Sequence, residues 1–236
     1  MNYLDVQREL RMHSNPARAK SSAWFFKTGR GEYGEGDKFL GLVVAEQRKI
    51  AYKFIELPLA EITKLIKSHY HEDRFTALEI LVAQYERGDS IIRKKITNLY
   101  ITQTKLINNW DLVDTSAPYI LGHYTYEYSK KWSILFRLAK SKNLWERRIA
   151  IISTQYFISQ GRFDKTLAIA ELLLNDTHDL IHKAVGWMLR EVGKRDLKTL
   201  QIFLQKHAKR MPRTMLRYSI EKFPEMKRKK YLSGTM

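Results

Sequence analysis

Apolar side chains recur at helical spacing along most of this 236-residue chain. The clearest run follows the i, i+1, i+4, i+5, i+8 pattern of one helix face and comprises Leu180, Ile181, Ala184, Val185, Met188, Leu189 and Val192. Similar patterns cover about 44–56, 59–68, 73–86, 90–107, 129–140, 163–174, 196–207 and 213–222. Because the period-two alternation typical of strands is scarce, the chain is predicted to be all-α.

Few glycines and prolines interrupt this helical pattern. The 11 glycines and 5 prolines include residues suited to helix boundaries, namely Pro58, Gly88, Gly161, Pro212 and Pro224. Helices joined by short loops form antiparallel pairs, and stacked pairs make an α-solenoid, although a plain helical bundle also fits the periodicity. No change of composition marks a linker, so we expect one domain over residues 1–236.

The composition narrows the possible functions. The absence of cysteine excludes disulfides, thiolate metal sites and a cysteine nucleophile. Lys and Arg (42) outnumber Asp and Glu (25), and the net charge of +17 favours a polyanion, most often nucleic acid. The alternatives are that the partner is an acidic membrane surface, or that the protein has no polyanionic partner. With neither a signal peptide nor a membrane span indicated, we expect a cytoplasmic protein, nucleoid-associated if bacterial.

The glycines of residues 29–36 include a literal G-x-G-x-x-G motif. The strand and helix that flank such a motif in dinucleotide sites are not indicated, and neighbouring acidic residues would repel a pyrophosphate. We therefore predict a loop or small hairpin with Arg30 at its tip, which contacts DNA or is simply exposed. His178 and His182 have helix spacing without a metal-site motif, so no metal and no cofactor are expected.

Trp110 and Asp114 lie four residues apart in a short polar connector that precedes Pro118. One interpretation is helix capping, with Asp114, Thr115 or Ser116 as the N-cap and Pro118 in the first turn. Capping explains one polar residue, but it explains neither the tryptophan nor a second aspartate in a strongly basic protein. A functional role of Asp114 therefore stays open beside the capping interpretation.

Two further positions need an explanation. Arg148 lies on a segment with apolar residues on nearly every side, so it needs a carboxylate partner or binds an anion such as phosphate. Trp187 falls at the edge of an apolar stripe beside Lys183, Arg190 and Lys194. That combination is typical of a nucleic-acid surface, and also of a tryptophan at the rim of a core.

Five segments resemble the AlkD-type DNA alkylation repair family, the HEAT-like-repeat DNA glycosylases. They cover most of the chain in order and comprise residues 25–37, Asn109-Trp-Asp-Leu-Val-Asp-Thr-Ser-Ala-Pro118, and residues 144–151, 182–193 and 211–218. The resemblance implies an α-solenoid of antiparallel HEAT-like helix pairs with a concave, basic DNA-binding face. It also implies excision of N3- and N7-alkylated purines, the 3-methyladenine and 7-methylguanine class, from duplex DNA.

By position, the resemblance implies that Asp114 is the catalytic carboxylate and that Trp110, Trp187 and Arg148 share its cleft. A tyrosine that lines the cleft in some members corresponds to Phe25, so the aromatic face is kept and the hydroxyl is lost. Further DNA contacts are expected from Phe25, Lys27, Arg30, Arg147, Lys183, Arg190, Lys194 and Arg213. The expected partner is duplex DNA with alkylated purines, bound by a monomer.

These residue types suit an alkylated purine, because such a base is positively charged and already a good leaving group. Protonation of the leaving group is then dispensable, and one ionised carboxylate can stabilise an oxocarbenium-like sugar and orient water. The leading prediction is therefore a monofunctional alkylpurine DNA glycosylase of base excision repair. The alternative is a non-catalytic binder of damaged or branched DNA on the same fold.

Overall fold

The computed structural model describes residues 1–128 and 132–235, so the start of the predicted helical pattern at 129–140 lies outside it. Within these ranges the regular structure is helical, apart from an isolated parallel bridge between Lys38 and Tyr70. The chain divides into two compact units, Met1–Ile120 and Leu121–Met236. The all-α prediction is confirmed, and the single domain stays a prediction.

The first unit is built around one long central helix. Its helices are α1 Tyr3–Met12, α2 Pro16–Phe25, α3 Val44–Lys53, α4 Leu59–Ile66, α5 His71–Arg87, α6 Ser90–Thr102 and α7 Trp110–Ser116. Helices α1, α3, α4, α6 and α7 all pack against α5. Most residues of α5 are consequently buried, including polar residues of its first turn.

The second unit has two central helices, α10 and α12. Its helices are α8 His123–Glu127, α9 Ser133–Ala139, α10 Leu144–Ser159, α11 Asp164–Leu172, α12 Asp179–Arg195, α13 Leu197–His207, α14 Arg213–Ser219 and α15 Glu225–Ser233. A short π-helical segment, Pro118–Gly122, leads into α8. Helix α10 packs against α8, α9, α11 and α12, which confirms that the segment with apolar residues on nearly every side is central.

The helix boundaries predicted at Pro58, Gly88, Gly161, Pro212 and Pro224 are confirmed within a few residues. Pro58, Pro212 and Pro224 are the N-cap residues of α4, α14 and α15, and Gly88 is the C-cap residue of α5. Gly161 follows α10 with a φ of 72°, a left-handed conformation that glycine adopts without strain. Proline and glycine therefore mark the ends of helices here for the physical reasons expected.

The capping interpretation of Asp114, Thr115 and Ser116 is wrong. Asn109 is the N-cap residue of α7, and its side-chain oxygen accepts a hydrogen bond from the backbone N–H of Trp110 at 2.8 Å. Asparagine is as good an N-cap as aspartate, so residue type alone does not distinguish Asn109 from Asp114 five residues later. Because the helix begins at Trp110, Asp114 lies inside α7 and its carboxylate does not cap it.

Candidate active site

Helix α7 is attached to α5 through polar side chains. The Oδ2 atom of Asp111 lies 2.7 Å from Nε2 of His71, and the hydroxyl of Thr115 donates a hydrogen bond to the carboxylate of Glu79. His71 and Glu79 both belong to α5. Since residues 111 and 115 are one turn apart, these two contacts fix a single face of α7 against α5.

A second contact attaches α7 to α6. The Oγ atom of Ser116 lies 3.0 Å from the hydroxyl of Tyr100, and the apolar side chains of α7 are buried. With these faces occupied, Trp110 and Asp114 are half-buried, one turn apart on the remaining face. The fold of the first unit therefore presents an indole and a carboxylate side by side.

Asp114 and Tyr100 interact electrostatically. Burial raises the pKa of Tyr100 above its usual range, and the negative charge of Asp114 raises this pKa further, against the opposing hydrogen bond with Ser116. Coulomb interactions weaken with distance and with solvent, so this effect indicates a carboxylate close to the buried phenol. Tyr100 consequently remains a neutral hydroxyl.

An aromatic cluster adjoins the Trp110 end of this face and comprises Phe25, Phe26, Phe39, His71 and Trp110. Phe26 stacks on Trp110 with ring centroids 5.2 Å apart, and on Phe39 with centroids 5.1 Å apart. Phe25 meets Trp110 edge-on at 5.9 Å. Each such pair contributes about 0.5–1.5 kcal/mol, so the cluster holds the indole in one orientation. The predicted residues Phe25 and Trp110 are therefore in contact.

The end of α2 exposes two aromatic side chains beside a cation. Trp24 is 76% exposed and Phe25 is 56% exposed. The ammonium group of Lys27 lies 5.2 Å from the centroid of the Trp24 ring. Exposed aromatic faces next to basic side chains are typical of surfaces on which nucleobases stack. Sequence reasoning identifies Phe25 and Lys27 here but does not single out Trp24.

The glycine-rich segment is a loop of turns, and the hairpin alternative is wrong. The carboxylate of Glu32 accepts a hydrogen bond from the N–H of Gly29 at 2.8 Å, and that of Glu35 accepts one from Gly31 at 2.9 Å. Backbone N–H groups that could have bound a phosphate are thus occupied by carboxylates of the loop itself. Arg30 is exposed in this loop, as predicted.

In the second unit, two adjacent arginines of α10 have different surroundings. Arg148 is only 5% exposed, and its Nη1 donates a hydrogen bond to the carbonyl of Leu180 at 2.8 Å. Arg147 forms an ion pair with Asp176, with 2.6 Å between Nε and Oδ2, and donates to the carbonyl of Ser141 at 3.1 Å. Arg147 therefore connects α10 to the segment before α12, besides any contact with DNA.

Trp187 lies on α12 and is half-buried at the edge of the apolar stripe, as predicted. The preceding residue, Gly186, is where α12 and α14 approach closely. A Cβ atom at position 186 would lie 2.5 Å from Cβ of Tyr218 and 2.6 Å from the carbonyl oxygen of Met215. Glycine is therefore needed at 186 for the close packing of α12 on α14 beside Trp187.

The basic side chains of the second unit that are predicted to contact DNA have acidic neighbours or backbone carbonyl acceptors in the same unit. The ion pairs are Lys183 with Asp179 at 2.8 Å, Lys194 with Glu191 at 2.7 Å, and Arg190 with Glu221. Arg213 donates to the carbonyl of Leu232. Exposed ion pairs contribute only about 0–1 kcal/mol, so phosphates can replace these acidic partners at little cost.

The two histidines with helix spacing have structural contacts. The Nδ1 atom of His178 accepts a hydrogen bond from the N–H of Leu180 at 3.1 Å and so caps α12, while His182 contacts the carbonyl of Asp176. Over residues 1–128 and 132–235, no group of three or more potential ligands could hold a metal ion. In the same ranges, every helix is too short or too polar to cross a membrane.

Comparison with known proteins identifies the family. The sequence profile of the DNA alkylation repair enzyme family matches residues 6–223. The chain belongs to this family. A solved structure described as a predicted DNA alkylation repair enzyme from Enterococcus faecalis is similar in fold, with a TM-score of 0.70, 15% identity, and coverage of 90% of this chain and 97% of that one.

A second solved structure, smu.31 from Streptococcus mutans UA159, has a TM-score of 0.55 and 19% identity, and covers 94% of this chain and 99% of its own. At such identities the two structures share the fold, and their likeness says nothing about individual residues. Comparison with curated proteins finds no match. The resemblance to the DNA alkylation repair family noted in the sequence is therefore confirmed at the level of the family.

In this member of the family, sequence reasoning misses a buried polar group next to α7. It comprises Asp37, His71, Arg74 and Asp111. Four consecutive polar residues at the start of a helix are ordinarily exposed, so the pattern around His71 gives no sign of burial. The only available signal is Asp111 itself, the second aspartate beside Trp110 in a basic protein.

Proposed function

We propose that this member of the DNA alkylation repair family is a monofunctional DNA glycosylase that releases N3- and N7-alkylated purines from duplex DNA. The observation that supports it is one face of α7, where Asp114 and Trp110 lie half-buried one turn apart. Membership of the family supports a role in the repair of alkylated DNA. The net charge of +17 suits a DNA partner, bound by a monomer without a cofactor.

In this proposal Asp114 stabilises the charge that develops on the sugar. An N3- or N7-alkylated purine is cationic, so its bond to C1′ breaks without a proton donor and leaves positive charge on the deoxyribose. A half-buried carboxylate is less screened than one in water and stabilises that charge more strongly. The same carboxylate can orient and deprotonate the attacking water, which yields a free base and an abasic site.

The aromatic side chains supply preference for the damaged nucleotide. A cationic group gains about 0.5–2 kcal/mol from each aromatic face that it meets, and a neutral purine gains less. Trp110 provides one such face, and Phe26 stacked behind it keeps the indole in place. We assign the same role to Trp187 in the second unit. Phe25 contributes through its aromatic ring only, because it lacks the hydroxyl of a tyrosine.

The basic side chains hold the DNA backbone. Arg148 binds phosphate in this proposal, since a guanidinium forms two parallel hydrogen bonds with phosphate oxygens. We assign further phosphate contacts to Lys27, Arg30, Arg147, Lys183, Arg190, Lys194 and Arg213. Binding should therefore weaken steeply with salt, roughly in proportion to the number of phosphates neutralised.

The test is base release from duplex DNA that carries methyl groups on purine nitrogens, with undamaged duplex as the control. We expect chromatography to detect free 3-methyladenine or 7-methylguanine. The DNA strand should stay intact until alkali cleaves it at the abasic sites, because no lysine nucleophile is assigned. Tight, salt-sensitive binding without base release would contradict the glycosylase and favour the non-catalytic binder.

A further inference from the structure

The first turn of α5 contains four polar side chains that are all buried: His71, Glu72, Asp73 and Arg74. Two of them have simple structural roles. Glu72 accepts hydrogen bonds from the backbone N–H groups of residues 40–42, and Asp73 forms an ion pair with Arg11 at 3.2 Å. His71 differs from these because its partner Asp111 belongs to the helix that carries the candidate site.

His71 lies between two carboxylates. Its Nδ1 atom is 3.1 Å from Oδ2 of Asp37, its Nε2 atom is 2.7 Å from Oδ2 of Asp111, and the residue is only 2% exposed. An ionised carboxylate only accepts hydrogen bonds, so each ring nitrogen must carry a hydrogen for both bonds to form. A neutral ring would aim a lone pair at one of the two carboxylates. The geometry therefore requires the imidazolium form.

The charges around the ring balance. The other oxygen of Asp37 lies 2.5 Å from Nη2 of Arg74, so two carboxylates face one imidazolium and one guanidinium. Glu72 and Asp73, the other acidic side chains of this turn, are engaged by residues 40–42 and by Arg11. A buried network in which each charge has a partner is rigid, and removing one charge leaves the others uncompensated.

The pKa values agree with this geometry. Burial by itself lowers the pKa of His71, but the charge and hydrogen bond of Asp111, with the hydrogen bond of Asp37, raise it to about 9 against the repulsion of Arg74. Burial by itself raises the pKa of Asp37, yet its hydrogen bond with His71 and the charge of Arg74 hold it below the usual value.

We propose that His71 is a positioning residue for the candidate site: its imidazolium, held between Asp37 and Asp111, fixes the first turn of α7 and with it Trp110 and Asp114. The His71 ring influences the Trp110 indole by two routes. The first route is Asp111, which directly follows Trp110 in the chain and is hydrogen-bonded to the His71 ring. The effect on base release rests on the proposed function, whereas the effect on the position of Trp110 does not.

The second route is aromatic stacking. The His71 ring lies 4.9 Å from the Phe26 ring, which stacks on Trp110, and 4.7 Å from the Phe39 ring. Loss of the proton turns a ring lone pair toward a carboxylate, so the ring must move or lose a partner. Because the pKa in the fold is raised, the stabilisation is fully present below about pH 6.5 and is lost as the pH rises through about 9.

The experiment is fluorine NMR of the full chain labelled with 5-fluorotryptophan, which gives one resonance for each of the 5 tryptophans. The Trp110 resonance is assigned by its loss in Trp110→Phe. In the wild-type protein we expect this resonance to titrate with a midpoint near pH 9, while that of Trp187 stays constant. In Asp111→Asn, which keeps the side-chain size, we expect the Trp110 resonance to shift and its midpoint to fall.

Base release at saturating DNA is the second readout. We expect Asp111→Asn and His71→Gln to slow release by about tenfold or more, since displaced catalytic groups lose rate while DNA affinity is retained. His69→Gln, at an exposed position two residues away, is the matched control and should match wild type.

The outcomes separate the two proposals. A Trp110 resonance that is constant up to pH 10 and unchanged in Asp111→Asn would overturn the positioning role. Unchanged release in a folded His71→Gln would also overturn it. If wild-type protein releases no base, the proposed function fails, and the Trp110 titration still decides whether His71 fixes α7. If His71→Gln fails to fold, Asp111→Asn provides both readouts.

Discussion

Helix α7 of the first unit and helix α12 of the second each carry a tryptophan that the family resemblance assigns to the cleft, but different forces hold the two helices in place. Helix α7 is short, and side-chain hydrogen bonds from α5 and α6 fix it. Helix α12 is long and buries an apolar stripe against α10, α13 and α14, with Gly186 at the closest approach. The position of Trp110 therefore depends on charge and protonation as well as on aromatic packing, whereas that of Trp187 depends on shape.

Among the polar contacts of the first unit, those of Glu72 should cause the largest loss of stability when they are removed. Its buried carboxylate accepts hydrogen bonds from the N–H groups of Leu40, Gly41 and Leu42 at 2.9, 2.7 and 3.3 Å. Glu72→Ala leaves these donors without an acceptor, so we expect the free energy of unfolding in urea to fall by about 4 kcal/mol. Glu35→Ala, in the exposed loop, is the control. Equal stability of the two variants would contradict the anchoring role of Glu72.

Gly186→Ala tests the close apolar packing of α12 against α14. The added Cβ meets the backbone of α14, so we expect a loss of about 1–3 kcal/mol and a change in Trp187 fluorescence. Gly193→Ala on the same helix is the comparison, because its added Cβ would first meet the side chain of Leu200, 2.3 Å from Cδ2, rather than a backbone atom. Since a side chain adjusts more easily than a backbone, Gly193→Ala should cost less than Gly186→Ala, and a neutral Gly186→Ala would contradict the close packing.

The smallest effect is expected at the surface of the second unit. Glu221→Gln removes one of the two acidic neighbours of Arg190, whose Nε also lies 3.5 Å from Glu191, so stability should change by less than about 1 kcal/mol. Affinity for duplex DNA should rise slightly at low salt, because the charge of Arg190 is less neutralised and attracts a phosphate more strongly. Glu225→Gln makes the same change of net charge at the exposed pair with Lys229. An equal rise in both variants would show that the gain comes from net charge alone.

The sequence predicts the fold well because each helix has a local signal. The period of the apolar residues identifies the helices, and Pro58, Gly88 and Pro212 mark where they begin or end. Apolar residues on all sides of α10 identify this helix as a central one. These signals depend on residues close in the chain, so they do not require knowledge of tertiary contacts.

The site is predicted only in part, because its remaining features come from residues far apart in the chain. Asp114 and Trp110 follow from the resemblance to the family, although the local pattern suggested a cap. The contact of His71 with Asp111 spans 40 residues, and that of Arg147 with Asp176 spans 29. Nothing in the local pattern distinguishes such buried charges from exposed ones, since burial is decided by the tertiary fold.

The most direct test of the central claim compares wild-type protein with Asp114→Asn on a duplex that carries 7-methylguanine. The substitution keeps the size of the side chain and removes its charge, and Asp164→Asn, at an exposed position of α11, is the matched control. We predict that Asp114→Asn slows single-turnover base release by about 100-fold or more while DNA affinity is retained and the control is unaffected. Release at the wild-type rate by a folded Asp114→Asn variant would contradict the account.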